Sequence, residues 1–292
     1  LLFSSALRGA AVHYAIAFAS QVLRLTVWLV LLTVVFIPLE RLFALQLKVR
    51  RPRDVAGDLA FYFLNSLAPT ILLALPLSVL ATITLQFTPA AYSEFIGGLP
   101  LWVRVFAGIV VGEFGAYWAH RLCHETPWMW RFHKVHHSPE SLDWMVNTRA
   151  HPLDVAFTRL GGLTPLYLLG LASPRGEGQL LPVIVTLFGT VWAFYVHANM
   201  KWRYGPLEWL IATPAFHHWH HTNDEHRDHN YAALLPVIDR LFGTHYLPNH
   251  WPPVYGVDEP VAPGVLSQIL DPLSRPVSTP ATSNPPEARP GA

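Results

Sequence analysis

The sequence predicts an all-α membrane protein in which four or five transmembrane helices are capped by a cytosolic helical domain. Three observations carry that reading. Hydrophobic residues make up 52% of the chain and charged residues only 13%, about half the charge that dresses a soluble domain. Several nearly uncharged stretches approach or exceed the roughly 20 apolar residues a spanning helix needs. Sixteen histidines accompany a net charge of only +1, and thirteen of them fall between His120 and His229. This balance argues against a soluble globular enzyme, a disordered chain and a highly charged nucleic-acid binder. The single cysteine, Cys123, excludes an intrachain disulfide framework and a multi-cysteine zinc site.

The apolar run Gly9 to Leu23 fits a signal sequence, an interfacial helix or the first part of a span. Leu25 to Leu39 reads as a short span whose flanks, Arg24 and Glu40-Arg41, snorkel to the interfaces. Leu59 to Phe87 carries no charge and reads as one span kinked at Pro69 and Pro76. Val105 to Trp118 is interrupted by Glu113, and Val155 to Leu171 by Arg159. A charge at the bilayer centre costs about 2.5–3.5 kcal/mol on insertion scales, so both spans are expected to line the protein interior. Gln179 to Met200 is uncharged and closes on Val196-His197-Ala198-Asn199. Trp102, Trp118, Trp128, Trp130, Trp202 and Trp209 lie near span ends and are expected to be mostly interface anchors.

Lys48, Arg50, Arg51 and Arg53 cluster between the first two spans, which assigns that loop to the cytoplasm. Alternating crossings then put 88–101 and the loop from Ser173 to Gly178 outside. The segment Arg121 to His151 and everything after Lys201 fall inside. Arg121, Arg131, Lys134, Arg149, Lys201 and Arg203 all lie on the inner side by this count, against Arg104 and Arg175 outside. The expected organisation is N-terminal membrane helices over 1–104, a histidine-bearing unit over 105–250, and a C-terminal extension over 251–292. From about Pro272 the tail is rich in Pro, Ser, Thr and Ala and reads as disordered.

The histidines are patterned. His120-Arg-Leu-Cys-His124 is an i, i+4 pair at the end of a span, so both rings share a helix face. His133-Lys-Val-His136-His137 offers i, i+3 and i+4. His217-His218-Trp-His220-His221 repeats that spacing after Thr213-Pro214, where Pro suits a helix start. His197 ends the last span alone. Neutral imidazole is the commonest metal ligand, and a bound ion needs several nitrogens converging on it. The pair, the two triplets and His197 supply nine, more than one ion accepts, so the count favours a two-metal cluster. His13, His245 and His250 stand alone and read as ordinary polar side chains. His218 breaks the spacing and is expected to point away from its neighbours. His226 and His229 lie in the polar stretch Asn223–His229, as consistent with solvent exposure as with function. His151-Pro152 fits a site wall or a helix entry equally, and Cys123 reads as small-residue packing. Glu113, an acid inside a membrane segment, is a functional candidate and fits as an acceptor for a ligand N–H.

These motifs resemble the fatty acid hydroxylase and sterol desaturase superfamily of integral-membrane di-iron oxygenases, over about Val105 to Thr244. The carrying residues are His120-x-x-x-His124, then Trp130-Arg-Phe-His133-Lys-Val-His136-His137-Ser-Pro. After them come Arg149-Ala-His151-Pro152, His197-Ala-Asn199, and Thr213-Pro214 leading into His217-x-x-His220-His221. Asn230-Tyr231 and Asp239-Arg-Leu-Phe-Gly243-Thr complete the set. The resemblance implies a cytosol-facing centre of two irons ligated by His120, His124, His133, His136, His137, His197, His217, His220 and His221. His151, Asn199, Glu113, His218 and Asn230 are expected in the wall of the site or around its ligands. Two positions depart from the family pattern: Ala232 stands where Gly usually follows Asn-Tyr, and Lys201 stands where some members have a further His. Water or Asn199 is the expected substitute for that ligand.

The implied activity is hydroxylation or desaturation of a lipid C–H bond with O₂, a lipid drawn from the bilayer, and electrons from a cytochrome- or reductase-type donor. Because ligating imidazoles must be deprotonated, metal is expected to leave as pH falls below roughly 6. Two rival classes are weighed against this. A metal transporter places its ligands near mid-bilayer along a pathway, whereas these histidines gather at one face. A membrane zinc hydrolase needs a smaller ligand set with a catalytic carboxylate, and no His-Glu-x-x-His occurs in the chain.

Overall fold

A computed structural model describes residues 2–47, 51–172 and 180–274. Among the described residues every regular element is a helix and no strand is present. The first helix, α1 (Leu2–Phe43), runs through both N-terminal apolar stretches without a break. The reason is local: no Gly or Pro occurs between Val12 and Ile37. Its segment Val12–Phe43 is long and apolar enough to cross a membrane, and the run Gly9 to Leu23 continues into the next apolar stretch within this one helix.

The stretch Leu59 to Phe87 is not one continuous helix. Helix α2 (Pro52–Leu72) opens on Pro52 and contains Pro69, and α3 (Ala74–Phe87) resumes after Leu73. The break falls there because Pro76 has no N–H for the Leu72 carbonyl and its ring crowds that oxygen. Helix α4 (Ala90–Gly98) is then bent by 108° from α3. Four helices are membrane-length: α1, α2, α5 (Leu101–Glu125) and α8 (Leu180–His197); the bent pair α3–α4 brings the number to five if it forms one span.

Helix α7 (Pro152–Leu168) occupies the expected span Val155 to Leu171 but has only 17 residues. At 1.5 Å per residue it is about 26 Å long, short of the ~30 Å hydrocarbon core, and it is not among the membrane-length helices. It packs antiparallel on α5 through facing glycines. A methyl group on Gly115 would overlap the Gly161 carbonyl oxygen, and one on Gly161 would overlap Ala119. Small residues at such a crossing let two backbones touch.

One end of the bundle collects the chemistry. The C-termini of α1, α5 and α8 meet the N-termini of α2 and α7 there. The Glu40 carboxylate accepts the Trp144 and Asn199 backbone N–H groups at 2.8 Å, and Arg149 donates to Asp58 at 2.6 Å. At the other end, Thr84 donates to the Tyr167 carbonyl at 2.8 Å and Tyr92 to the Leu169 carbonyl at 3.0 Å. Since α5 and α8 both deliver their C-termini to the same end, the chain between them must return, and α7 is that return.

The cap is built from α6 (Pro127–His137), a 3-10 turn at Trp144–Thr148, α9 (Pro214–His220), α10 (Pro236–Leu241) and α11 (Val265–Ser274). Leu32, Phe36, Tyr62, Trp144, Phe194 and Met200 form the core that joins cap to bundle. Helix α11 continues through Pro272, which is buried. Lys48 and Arg50 of the basic loop, the loop Ser173 to Gly178 with Arg175, and the tail beyond Ser274 lie outside the described residues.

Candidate metal centre

Each histidine motif reaches the site by a separate local rule. His120 and His124 occupy one face at the C-terminus of α5. Thr126 and Pro127 then end that helix and start α6, with Pro at the first position where no N–H is needed. This turns His133, His136 and His137 back toward α5. His197 is the last residue of α8. Thr213 caps α9 by accepting the Phe216 N–H, and Pro214 follows it, which sets His217, His220 and His221 on that short helix and its end.

The nine histidines form two adjoining groups. His120, His124, His133, His137 and His220 each place a ring nitrogen within 4.8 Å of the others, and His136, His197, His217 and His221 do the same. The two His-x-x-His-His motifs exchange members. On α6 the i, i+4 pair His133 and His137 joins the group of five, and His136 joins the group of four. On α9 the i, i+4 pair His217 and His221 joins the four, and His220 joins the five. The rings of His137 and His221 stack at 4.3 Å where the groups meet.

Hydrogen bonds at Nδ1 define which nitrogen faces inward. The carbonyl oxygens of Tyr231, Arg149, Ala193 and His229 accept from Nδ1 of His120, His136, His197 and His220 at 2.7, 3.0, 2.7 and 2.9 Å. A carbonyl only accepts, so these rings carry their proton on Nδ1 and present a lone pair at Nε2. Asp154 holds Nδ1 of His133 through both oxygens at 3.0 Å, and Asp228 holds Nδ1 of His124 at 3.2 Å. The inward nitrogens crowd together: His120 and His133 approach Nε2 to Nε2 at 3.1 Å, as do His136 and His197. With every Nδ1 of these four rings hydrogen-bonded outward, the facing Nε2 atoms have no proton to share. Two lone pairs at that distance fit neighbouring positions around one cation. His124 and His220 add buried Nε2 atoms with no hydrogen-bond partner among the described residues. This donor set fits metal ions, one in each group.

Burial keeps the cap imidazoles neutral. It lowers the pKa of His136 to about 4, aided by neighbouring His133, and pushes those of His137, His217, His220 and His221 well below the ordinary histidine value. Burial alone would raise the Asp154 carboxyl, but the His133 ring beside it, with its Nδ1–H donated to both oxygens, outweighs burial and brings it down to about 2.

The residues expected around the ligands take other places. Asn199 does not replace a ligand: its Oδ1 accepts the Gln46 N–H and its Nδ2 donates to the Gln46 carbonyl, tying α8 to the end of α1. Glu113 does not accept from a histidine either; its carboxylate takes the Leu234 and Leu235 N–H groups and stands in the cavity wall below the site. His151 caps α7 by accepting the Leu153 N–H at 3.1 Å and reaches the Ile269 carbonyl. His218 points away from both groups, between Tyr255 and the Ala198 carbonyl. Asn230 has φ +58°, a left-handed conformation Asn tolerates, and its amide binds the Phe216 and Tyr246 backbone. It thereby secures the loop whose neighbouring carbonyls, of His229 and Tyr231, orient His220 and His120.

Three features escape sequence reasoning. Asp154 reads as an ordinary helix-start acid, and Asp228 is lost in a polar stretch; nothing in spacing links either to a histidine 21 or 104 residues away. Trp130, expected only as an anchor near a span end, packs its ring 5.2 Å from His124 and 5.5 Å from His137, and its N–H donates to Glu259. Cys123 is buried beside His133 and Asp154, in keeping with a small packing residue.

A cavity of about 490 Å³ runs from the histidines down between the helices. Leu25 and Leu32 of α1, Ile109 of α5, Leu163 of α7, and Val185 and Phe194 of α8 give it a predominantly apolar wall.

The family model described as fatty acid hydroxylase matches residues 105–244. The ornithine lipid hydroxylase OlsE of Rhizobium tropici is 40% identical over 182 residues, 60% of this chain and 52% of that protein. Human alkylglycerol monooxygenase is 32% identical over 161 residues, 55% of this chain and 34% of that protein. Methylsterol monooxygenase 2-2 of Arabidopsis thaliana is 26% identical over 151 residues, 50% of this chain and 55% of that protein. The match thus spans about half of the hydroxylase and a third of the alkylglycerol enzyme. No solved structure matches. The histidine-bearing part of the chain, residues 105–244, thus matches the fatty acid hydroxylase family, and the relatives matched are lipid hydroxylases and monooxygenases.

Proposed function

We propose that this protein is a membrane-bound di-iron oxygenase that hydroxylates or desaturates a C–H bond of a lipid, using O₂ and electrons from a cytochrome- or reductase-type donor. The observation that carries this reading is the pair of adjoining all-nitrogen groups at the head of an apolar cavity lined by membrane-length helices. His120, His124, His133, His137 and His220 hold one ion in this reading, and His136, His197, His217 and His221 hold the other. Imidazole ligands suit iron but also accept zinc and copper; the redox relatives favour iron. Bound iron supplies the redox chemistry toward O₂.

The chain's own residues perform the rest. Asp154, Asp228 and four backbone carbonyls fix ring orientation and tautomer. The cavity excludes water and holds the lipid chain in register, and that register decides between hydroxylation and desaturation. The two readings of the site as a zinc hydrolase or a transporter site fit less well: the groups contain no free carboxylate poised as a base, and they lie at one end of the bundle. Residues 105–250 form the oxidising unit, 1–104 its membrane helices and 251–292 an extension. Arg51, Arg53, Arg121, Arg131, Lys134, Arg149, Lys201 and Arg203 favour the cytoplasmic side for the histidine end.

The test is metal analysis of the purified protein with O₂ and reductant consumption, and lipid mass spectrometry of a host expressing wild type or His136→Ala. Two irons per chain and +16 or −2 lipid products absent from the variant are expected. Zinc alone with turnover under nitrogen would replace this reading with the hydrolase.

A further inference from the structure

The cavity contains a cation that the fold does not use. Arg159 of α7 lines it, and among the described residues no carboxylate or carbonyl pairs with the guanidinium. The two acids in the same wall are engaged elsewhere: Asp154 with His133, and Glu113 with the Leu234 and Leu235 N–H groups. An arginine within a largely apolar, membrane-level bundle is costly and carries function by default. Asn65 of α2 adds a second unmet group to this wall. Its Nδ2 donates to the Thr148 and Ala150 carbonyls at 3.0 and 2.8 Å, which leaves Oδ1 buried with no donor among the described residues.

We propose that Arg159 binds the anionic group, carboxylate or phosphate, of an acidic lipid, with Asn65 Oδ1 accepting from an N–H or O–H of the same headgroup. This deepens the oxygenase reading and rests on it for the role of the cavity. The planar guanidinium matches both oxyanions with two parallel hydrogen bonds. Placement adds a regiochemical consequence. Arg159 lies five residues from Asp154, about 7.5 Å along α7, and Asp154 touches His133. A headgroup held at Arg159 therefore presents carbons adjacent to itself to the histidine groups, and the end of a long acyl chain lies out of reach.

The experiment reads binding without turnover, so it stands or falls separately from the oxygenase assignment. The full chain in detergent is offered equal amounts of phosphatidylglycerol, N-palmitoylglycine and neutral 1-O-hexadecylglycerol, and retained lipid is measured by native mass spectrometry. Wild type is expected to retain one or both acidic probes at least tenfold over the neutral one. The stronger of the two identifies phosphate or carboxylate as the recognised group. Arg159→Gln is expected to lose that preference while still binding the neutral lipid, and Arg159→Lys to retain part of it. Equal retention of all three probes by wild type, or an undiminished preference in Arg159→Gln, overturns the proposal. If Arg159→Gln fails to fold, Arg159→Lys decides: a preference reduced relative to wild type, with neutral lipid still bound, supports the proposal, and a preference undiminished in Arg159→Lys overturns it.

Discussion

Both carboxylate oxygens of Asp154 lie 3.0 Å from Nδ1 of His133, joining the first turn of α7 to the middle of α6. The contact makes His133 present Nε2 to the group of five histidines. Removing such a partner typically costs 10–100-fold in metal affinity, on the order of 1.4–2.7 kcal/mol. Asp154→Asn is therefore expected to weaken metal binding by about that factor in the group of five only. Competition with a chelator should then show one ion leaving early and the other holding at the wild-type value. Two ions that weaken together would mean that Asp154 acts on the whole cap.

The division of the nine histidines predicts how metal is lost on ligand deletion. His124→Ala removes a ring from the group of five, and His217→Ala one from the group of four. Each is expected to lower bound metal from two ions toward one per chain, while the double variant holds almost none. Elemental analysis of protein loaded under identical conditions checks this. A single variant that keeps two ions sinks the assignment of that histidine.

Burial shifts the expected pH of metal release. An exposed imidazole competes with metal for a proton from about pH 6.5 downward, but His136 is lowered to about 4 by burial and its four cap partners also lie well below the ordinary value. Protons therefore compete effectively only near pH 4, and metal should stay bound at pH 5.5. The same shift sets the stability of metal-free protein. Between about 6.5 and about 4 the unfolded chain binds protons on these histidines that the folded chain refuses, so stability falls as pH falls through that window. Metal content and thermal midpoint measured from pH 7 to pH 4 test both statements; half the metal gone by pH 6 would contradict them.

The glycine seam between α5 and α7 is a stability device. Ala at Gly115 would drive its methyl into the Gly161 carbonyl oxygen, and such overpacking costs typically about 1–3 kcal/mol. Gly189 of α8 has open space around it, so Ala there should be neutral or stabilise the helix by up to about 1 kcal/mol. Thermal unfolding in detergent should separate the two, with Gly115→Ala melting lower. Equal midpoints would mean the helices part without loss.

Much of this protein is written along the chain. Low charge and long apolar runs determine membrane-length helices, because a span needs only local composition. The motifs His120-x-x-x-His124, His133-x-x-His136-His137 and His217-x-x-His220-His221 determine which rings are available, because helical spacing puts i and i+4 on one face. Tertiary structure decided how those rings are shared. Consecutive helix residues diverge by about 100°, so each His-His doublet must split between two directions, and only the packing of α6 against α5 and α9 settles which group receives which ring. It also decided that Asn199 serves α1, that Glu113 faces the cavity, and that Asp154 and Asp228 orient ligands far away in sequence. Those relations depend on which helices lie side by side, and spacing along one helix carries no information about its neighbours. The opening surplus of histidine thus resolves into two groups, five and four, with the chemistry of each set by the helix next to it.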